Sequence, residues 1–373
     1  MRALVLTRYG GPNVTELRDV AMPTPGPREV QIAVRAAGLN PVDFKTREGK
    51  LKGIHSYTLP IVLGSELSGV VASVGEGVTR FRPGDQVYAR VAKDRLGAFA
   101  EMVCVHEDLV AKKPQSLDFV RAAAVPLAAL TALQALRDEL AVTPGMRVFI
   151  SGGAGGVGSF AIQLAKHFGA TVATTASARG RALVERLGAD LIVDYTAEDF
   201  AAVLHDYDGA FDLIGGDTLA RTFSVVRRGG TVVSIAGLPE PTTAGKDLGR
   251  GIGLAALFWF ASAGIRFRAW RAGVRYRYLF MHPSGKDLEV LAALVDAQQV
   301  DAVVDRVFPF ENIREAFAYL ESGHAKGKVV VTFEAADRRC PDCLTVQACR
   351  SPSARDNRRA RFGPASAGLH CVL

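Results

Sequence analysis

Arg147-Val-Phe-Ile-Ser-Gly-Gly-Ala-Gly-Gly-Val-Gly-Ser-Phe-Ala-Ile-Gln-Leu-Ala-Lys166 is the stretch on which the reading of this chain turns. Its first five residues read as a strand, and the apolar continuity of Val148 to Ile150 fits a strand covered on both faces. From Ser159 onward apolar side chains recur at helical spacing. Between the two lie Gly152, Gly153, Gly155, Gly156 and Gly158. Glycine lets a backbone turn sharply and approach a pyrophosphate with no Cβ in the way, while the free N–H groups of a helix start face the phosphates. A glycine pattern alone is weak; a strand before it and a helix after it make it specific. The stretch predicts a dinucleotide site.

Downstream the alternation continues. Strands are expected at 171–175, 190–194, 211–214 and 231–235, with helices at 159–168 and 179–187 between the first of them. That order implies βαβ units and a parallel, doubly wound sheet. Upstream, runs such as Val30-Gln-Ile-Ala-Val-Arg35, Gly69-Val-Val-Ala-Ser-Val74 and Gln86-Val-Tyr-Ala-Arg-Val91 are bounded by Gly, Pro and Asp turns, which predicts a β-rich unit. Residues 120–140 read as a helix interrupted by Pro126, and a helix at 287–298, a strand at 303–308, a helix at 313–321 and a strand at 328–333 close the pattern. The fold class is therefore α/β, a β-rich domain joined to a doubly wound parallel sheet. The expected division is 1–124 β-rich, 125–265 dinucleotide-binding, 266–333 returning to the first domain, and 334–373 a disordered tail.

The 373 residues carry a formal charge of +7, of which +5 falls between Arg266 and Arg277 and +3 in residues 334–373. The remaining body is close to neutral, with no basic stripe interleaved with recognition elements, so nucleic acid is not an expected partner. Only Cys104 lies before residue 334, which points to a reducing compartment, and the first residues read as a strand rather than a secretory leader. A cytoplasmic protein is expected. The 15 uncharged residues between Arg250 and Arg266 are short for a membrane span, which takes roughly 17–25. Their aromatics, followed by Arg266-Phe-Arg-Ala-Trp-Arg271, are open to three readings: a substrate lid or packing element, a dimer contact, or weak peripheral membrane contact. In the tail, Cys340-Pro-Asp-Cys343 resembles half of a zinc knuckle or a redox pair, with no sensibly spaced second pair.

The end of the strand at 171–175 decides which dinucleotide fits. NAD sites usually place Asp or Glu there to hold the ribose 2′-hydroxyl. Here Thr174-Thr-Ala-Ser177-Ala-Arg179-Gly-Arg181 offers no acid before Glu185. A carboxylate would repel a 2′-phosphate, whereas Ser177 can donate to it and Arg179 or Arg181 can pair with it. The alternative for both arginines is a solvated place at a helix start. NADPH is the expected cofactor.

Ordered blocks along the chain carry a family resemblance. They are Gly38-Leu-Asn-Pro-Val-Asp43, Gly64-Ser-Glu-Leu-Ser-Gly-Val-Val71, Val74-Gly-Glu-Gly-Val78, Phe81-Arg-Pro-Gly-Asp-Gln-Val87, Gly97-Ala-Phe-Ala-Glu101, Leu130-Thr-Ala-Leu-Gln-Ala-Leu136 and Ala325-Lys-Gly-Lys-Val-Val330. With them the chain resembles the medium-chain dehydrogenase/reductase superfamily, and within it the zinc-independent quinone oxidoreductases. The resemblance runs from residue 1 to about 333. It implies a GroES-like catalytic domain around a Rossmann domain, with the cofactor in the cleft between them, and a homodimer. It further implies that Ala154, Gly156 and Val157, with Gly155 in the same loop, contact the pyrophosphate. Ser177 and Tyr195 would sit near the 2′-phosphate, and Asn40 and Thr131 near the nicotinamide; a half-buried aromatic closing the strand at 190–194 is the other reading of Tyr195. Where zinc alcohol dehydrogenases have Cys and Gly-His-Glu, this chain has Asn40 and Gly64-Ser65-Glu66, so no metal is expected.

Without a Lewis acid to stabilise an alkoxide, alcohol oxidation is disfavoured, and hydride addition to a conjugated carbonyl is the easier reaction. The expected function is NADPH-dependent, metal-free reduction of a small-molecule quinone or α,β-unsaturated carbonyl. Asn40 and Lys45 are the candidates for the polar wall, Lys45 to polarise the carbonyl or protonate the enolate. A solvated surface lysine is the alternative at 45, where quinone oxidoreductases often have Tyr. A non-enzymatic NADPH-binding module and a zinc-type alcohol dehydrogenase are the competing functions.

Overall fold

The strand Arg147–Ile150 sits inside a six-stranded parallel sheet in the computed structural model, which describes residues 1–54 and 56–333. The reading of 334–373, its cysteine pair included, lies outside the described residues. The sheet order is Leu191–Val193, Thr171–Thr175, Arg147–Ile150, Tyr207–Asp212, Val226–Ser234 and Arg275–Tyr278. Val148, Phe149 and Ile150 are fully buried because helices cover both faces. The chain winds one way from Arg147–Ile150 to Thr171–Thr175 and the other way to Tyr207–Asp212. Such a reversal opens a crevice at the carboxyl ends of the strands, and residues 152–158 form its floor.

Two features depart from the sequence reading. The fourth strand starts at Tyr207 and stops at Asp212, not 214, because the buried Asp212 carboxylate accepts from the N–H groups of Ile214 and Gly215 and turns the chain into the next helix. The dinucleotide-binding unit also runs past 265. The helix Ala263–Ala272 packs on the same sheet, and Arg275–Tyr278 is its sixth strand, in register Thr231 with Arg275 and Ser234 with Tyr278. A net charge had hidden a two-residue alternation. Tyr276 meets Phe223 edge-on, while Arg277 is buried among Glu139, Glu240 and Asp247. A buried arginine survives because each nitrogen of its guanidinium donates to a carboxylate or carbonyl.

The β-rich half is built on the long strand Glu29–Leu39, flanked by Glu66–Val74 on one side and, along different parts of its other edge, by Met102–His106 and Lys328–Thr332. Lys328–Thr332 belongs to the chain's return and pairs antiparallel with 36–39, Val329 opposite Leu39. Residues nearly three hundred apart in sequence are thereby fixed side by side. Arg2–Leu6, Thr15–Asp19 and Ile61–Val62 make a small second sheet. Pro126 opens the helix Pro126–Gln134, where its missing N–H costs nothing, and that helix packs against Gly156–His167. A bridge between Gly155 and Gly327 ties the return segment to the glycine loop itself.

Candidate active site

The glycine loop is shaped by contacts that a side chain would block. Gly152 has φ +70°, in the left-handed region, and Gly153 lies so close to Thr174 that a Cβ would meet its Oγ1 at 2.2 Å. A Cβ on Gly158 would stand 2.4 Å from the Gly152 carbonyl oxygen, so the first helical turn can lie against the loop only as glycine. The helix Gly156–His167 then points its free N–H groups into the crevice.

Two adjoining cavities of about 540 and 450 Å³ share Gly152, Gly155, Ile214, Gly323 and Ala325 as walls. The inner one is lined by Asn40, Lys45, Thr131, Gly156 and Val157, and is closed by apolar side chains including Leu51, Leu127, Leu279 and Phe280. The outer one is lined by Ala154, Thr175, Ser177 and Tyr195. One continuous cleft thus brings together nine of the eleven residues singled out from sequence. Arg179 and Arg181 are not among its walls: both are exposed on the helix Ala178–Arg186, and Arg181 pairs with Glu185 one turn on. The outer cavity takes its cations from elsewhere, Lys326 and Arg221. Arg221 is held by Asp199 and lies over the Phe200 ring. Lys326 reaches over the start of the helix, its Cδ 3.8 Å from where a Cβ on Gly180 would be. Lys326 was visible in the Ala325-Lys-Gly-Lys block, but only the bridge of Gly327 to Gly155 reveals that the block faces the nucleotide loop.

Beneath the inner cavity lies a buried polar cluster. Glu66 is fully buried, and its carboxylate accepts from Asn40 Nδ2 at 2.7 Å, Lys328 Nζ at 2.6 Å and the Leu127 N–H at 2.6 Å. Lys328 Nζ also donates to Asn40 Oδ1 and the Leu39 carbonyl. Asn40 caps the helix Pro41–Arg47 in a reciprocal box with Asp43, whose other oxygen accepts from Ser65 Oγ. Burial raises the Asp43 carboxyl to about 6, against the Ser65 and Asn40 hydrogen bonds that favour its charged form.

A third lysine lines the same cavity, with Lys45 and Lys328. Lys93 lies 3.9 Å from the Phe280 ring centre and donates to the Phe280 carbonyl at 3.2 Å, while its own carbonyl accepts from the Tyr57 hydroxyl at 2.6 Å. Burial pulls its ammonium down to about 7, with Arg90 nearby adding to the shift and Asp247 opposing it. Burial likewise pushes the Tyr57 hydroxyl up to about 12, so Tyr57 stays protonated. The sequence offered no signal for Lys93, which sits in an irregular loop with nothing in its neighbours to set it apart.

Two family models match the chain: the alcohol dehydrogenase GroES-like domain over residues 26–115 and the zinc-binding dehydrogenase over 187–331. An NADPH-dependent alkenal/one oxidoreductase of Arabidopsis thaliana is 39% identical over 343 residues, spanning 89% of this chain and 79% of the relative. The chain is a medium-chain dehydrogenase/reductase of the quinone oxidoreductase branch. A 2-methylene-furan-3-one reductase of Solanum lycopersicum is 38% identical, with the same shares covered. Among solved structures, a quinone oxidoreductase from Coxiella burnetii matches with TM-score 0.77 and 33% identity over 89% of this chain and 99% of that one. An Escherichia coli quinone oxidoreductase complexed with NADPH matches with TM-score 0.75 and 25% identity, over 89% and 100%. For this medium-chain reductase, GroES-like and Rossmann halves are therefore a property of the family.

Removing one partner of the Glu66–Lys328 pair strands a buried charge, which costs about 3–5 kcal/mol. Glu66→Gln and Lys328→Met are each expected to lose that much in urea unfolding, and the double variant clearly less than their sum. Additive losses would show that the pair is not coupled.

Proposed function

We propose that this reductase prefers NADPH and transfers its hydride to quinones or α,β-unsaturated carbonyls without a metal ion. The observation that carries the reading is the single cleft, in which a glycine-rich loop at a helix start opens onto a largely apolar cavity whose polar wall includes Asn40, Lys45 and Lys93. The two plant relatives, named as alkenal/one and furanone reductases, and the NADPH-complexed neighbour support it.

The donor set does not suit zinc. Asn40 and Ser65 stand where the metal-dependent relatives have thiolate and imidazole, and the Glu66 carboxylate beside them already binds the Lys328 ammonium. The residues do suit a phosphorylated dinucleotide. The glycine loop leaves room for a pyrophosphate, and Ser177, just past the strand Thr171–Thr175, shares the outer cavity with Lys326, a hydroxyl and a cation where an acid would select NADH. Tyr195, more than half exposed at the cavity edge, offers a flat face to the adenosine end.

Bound NADPH supplies hydride, and the protein arranges everything else. Asn40 is held rigidly by Glu66 and Lys328, so its amide fixes one edge of the nicotinamide site, with Thr131 beside it. Leu51, Leu127 and Leu279 keep water from the reacting carbons. When hydride reaches the β-carbon of an enone, negative charge moves to the carbonyl oxygen. An ammonium stabilises that oxygen and then returns a proton taken up from solvent. Lys45 and Lys93 both line the cavity for this role, and burial brings the Lys93 ammonium down to about 7. As part of the same reading the enzyme works in the cytoplasm as a homodimer; light scattering of the purified chain is expected to give twice the 39.7 kDa monomer, and a monomer mass would overturn it.

Lys326→Ala removes a charge-assisted contact worth about 1.5–3 kcal/mol, so the KM for NADPH is expected to rise at least about tenfold while that for NADH hardly moves. Equal effects on both cofactors would place Lys326 away from the 2′-phosphate. Lys93 holds its proton below about pH 7 and loses it above. The expected kcat/KM for an enone therefore falls as pH rises through that value, and Lys93→Met is slow and lacks this limb. Lys45→Ala is expected to lower enone turnover without moving the limb. If Lys93→Met kept the wild-type profile, the proton would come from another group.

A further inference from the structure

The segment between the fifth and sixth strands of the parallel sheet is the least explained part of the molecule. It forms two ten-residue helices, Ile252–Ala261 and Ala263–Ala272, meeting at 67°. A surface helix normally turns its apolar stripe inward. Here Phe258, Ser262 and Ala269 are buried, while Ile252 is 88% exposed, and Phe260 and Trp270 are each 72% exposed. Leu257, Trp259 and Phe267 are also exposed. Trp259 packs edge-on against Phe260 and Phe267 stacks on Trp270, so the rings form two outward clusters. Neither helix contributes to the walls of the two cavities.

Charge narrows what covers the face. No acidic residue occurs from 248 to 286, and Arg250, Arg268, Arg271 and Arg275 are exposed around the rings. Arg266 lies over the Trp259 ring and donates to its carbonyl, holding one aromatic in place. Tryptophan and phenylalanine rimmed by arginine match the boundary between acyl chains and anionic headgroups, where rings sit at the interface and guanidinium groups meet phosphate. A second copy of this chain would bring the same arginines face to face across a two-fold axis, which opposes pairing. Each helix spans about 15 Å at 1.5 Å per residue, half of a bilayer core, so the pair suits lying in the interface rather than crossing it.

We infer that the face formed by these two helices docks the protein on an anionic lipid surface, with the aromatics inserted among the acyl chain ends and the arginines on the headgroups. The inference does not depend on which carbonyl compound is reduced, because the face is outside the cleft.

Sedimentation of the full chain with sonicated vesicles tests it. Phosphatidylcholine vesicles are compared with vesicles of equal parts phosphatidylcholine and phosphatidylglycerol, at low and high salt. The wild type is expected to bind the anionic vesicles at least about tenfold more tightly, and to be released in part by salt. The variant W259S/F260S/F267S/W270S and the variant R268E/R271E are each expected to lose about tenfold or more, while NADPH oxidation with a soluble quinone stays at the wild-type level and certifies the fold. Vesicle binding that survives both variants would overturn the inference and point to another basic region. So would absence of vesicle binding, including the case in which the aromatic variant instead halves the mass in solution and identifies a second copy as the occupant.

Discussion

The Lys328 ammonium is held by the Glu66 carboxylate, the Asn40 amide oxygen and the Leu39 carbonyl, and every one of those partners comes from the first seventy residues. The strand that carries it, Lys328–Thr332, completes the sheet begun by Glu29–Leu39. This one closure sets the position of the whole cleft. It draws residues 323–328 across the crevice, seats Gly327 against Gly155, and brings Lys326 to the outer cavity. A buried ion pair is a poor source of net stability, since desolvation opposes the attraction. Its worth here is positional: Asn40 has one orientation because both its amide oxygen and its amide nitrogen are claimed.

That rigid floor separates two kinds of chemistry in one cavity. The buried lysine, Lys328, is fully engaged and serves to hold Asn40. Lys93 is engaged through a carbonyl and an aromatic face, neither of which takes its proton, and burial has lowered its hold on that proton. A reductase acting on a conjugated carbonyl needs this division, a fixed edge for the cofactor and a group able to part with a proton close to neutral pH. Zinc-dependent dehydrogenases meet the charge on oxygen with a metal; here Asn40, Ser65, Lys45, Lys93 and Lys328 line the cavity.

Much of this was legible in the sequence where local rules decide. The glycine loop, its strand and its helix follow from periodicity and from the steric demands of glycine, and seven of the nine cofactor residues named from sequence line one cleft. The failures have a common physical origin. Arg179 and Arg181 sit near Ser177 along the chain, but both are exposed on the helix outside the cavity walls, and Lys326, about 150 residues later, lines the outer cavity with Ser177 instead. The sixth strand was hidden because Arg275 and Arg277 read as surface charge, whereas Arg277 is enclosed by three carboxylates drawn from Glu139, Glu240 and Asp247. Lys93 was missed because its character comes from burial against Phe280, which no local pattern records.

The reaction proposed for this enzyme is hydride delivery to carbon of a conjugated carbonyl without a metal. It is tested most directly by incubating chelator-treated enzyme with NADPH deuterated at the transferring position and a simple enone, then locating the label by NMR. The expected product is a saturated carbonyl compound with deuterium at the β-carbon and a solvent-derived proton at the α-carbon. Deuterium at the carbonyl carbon of an allylic alcohol, or turnover that returns only when zinc is restored, would contradict it.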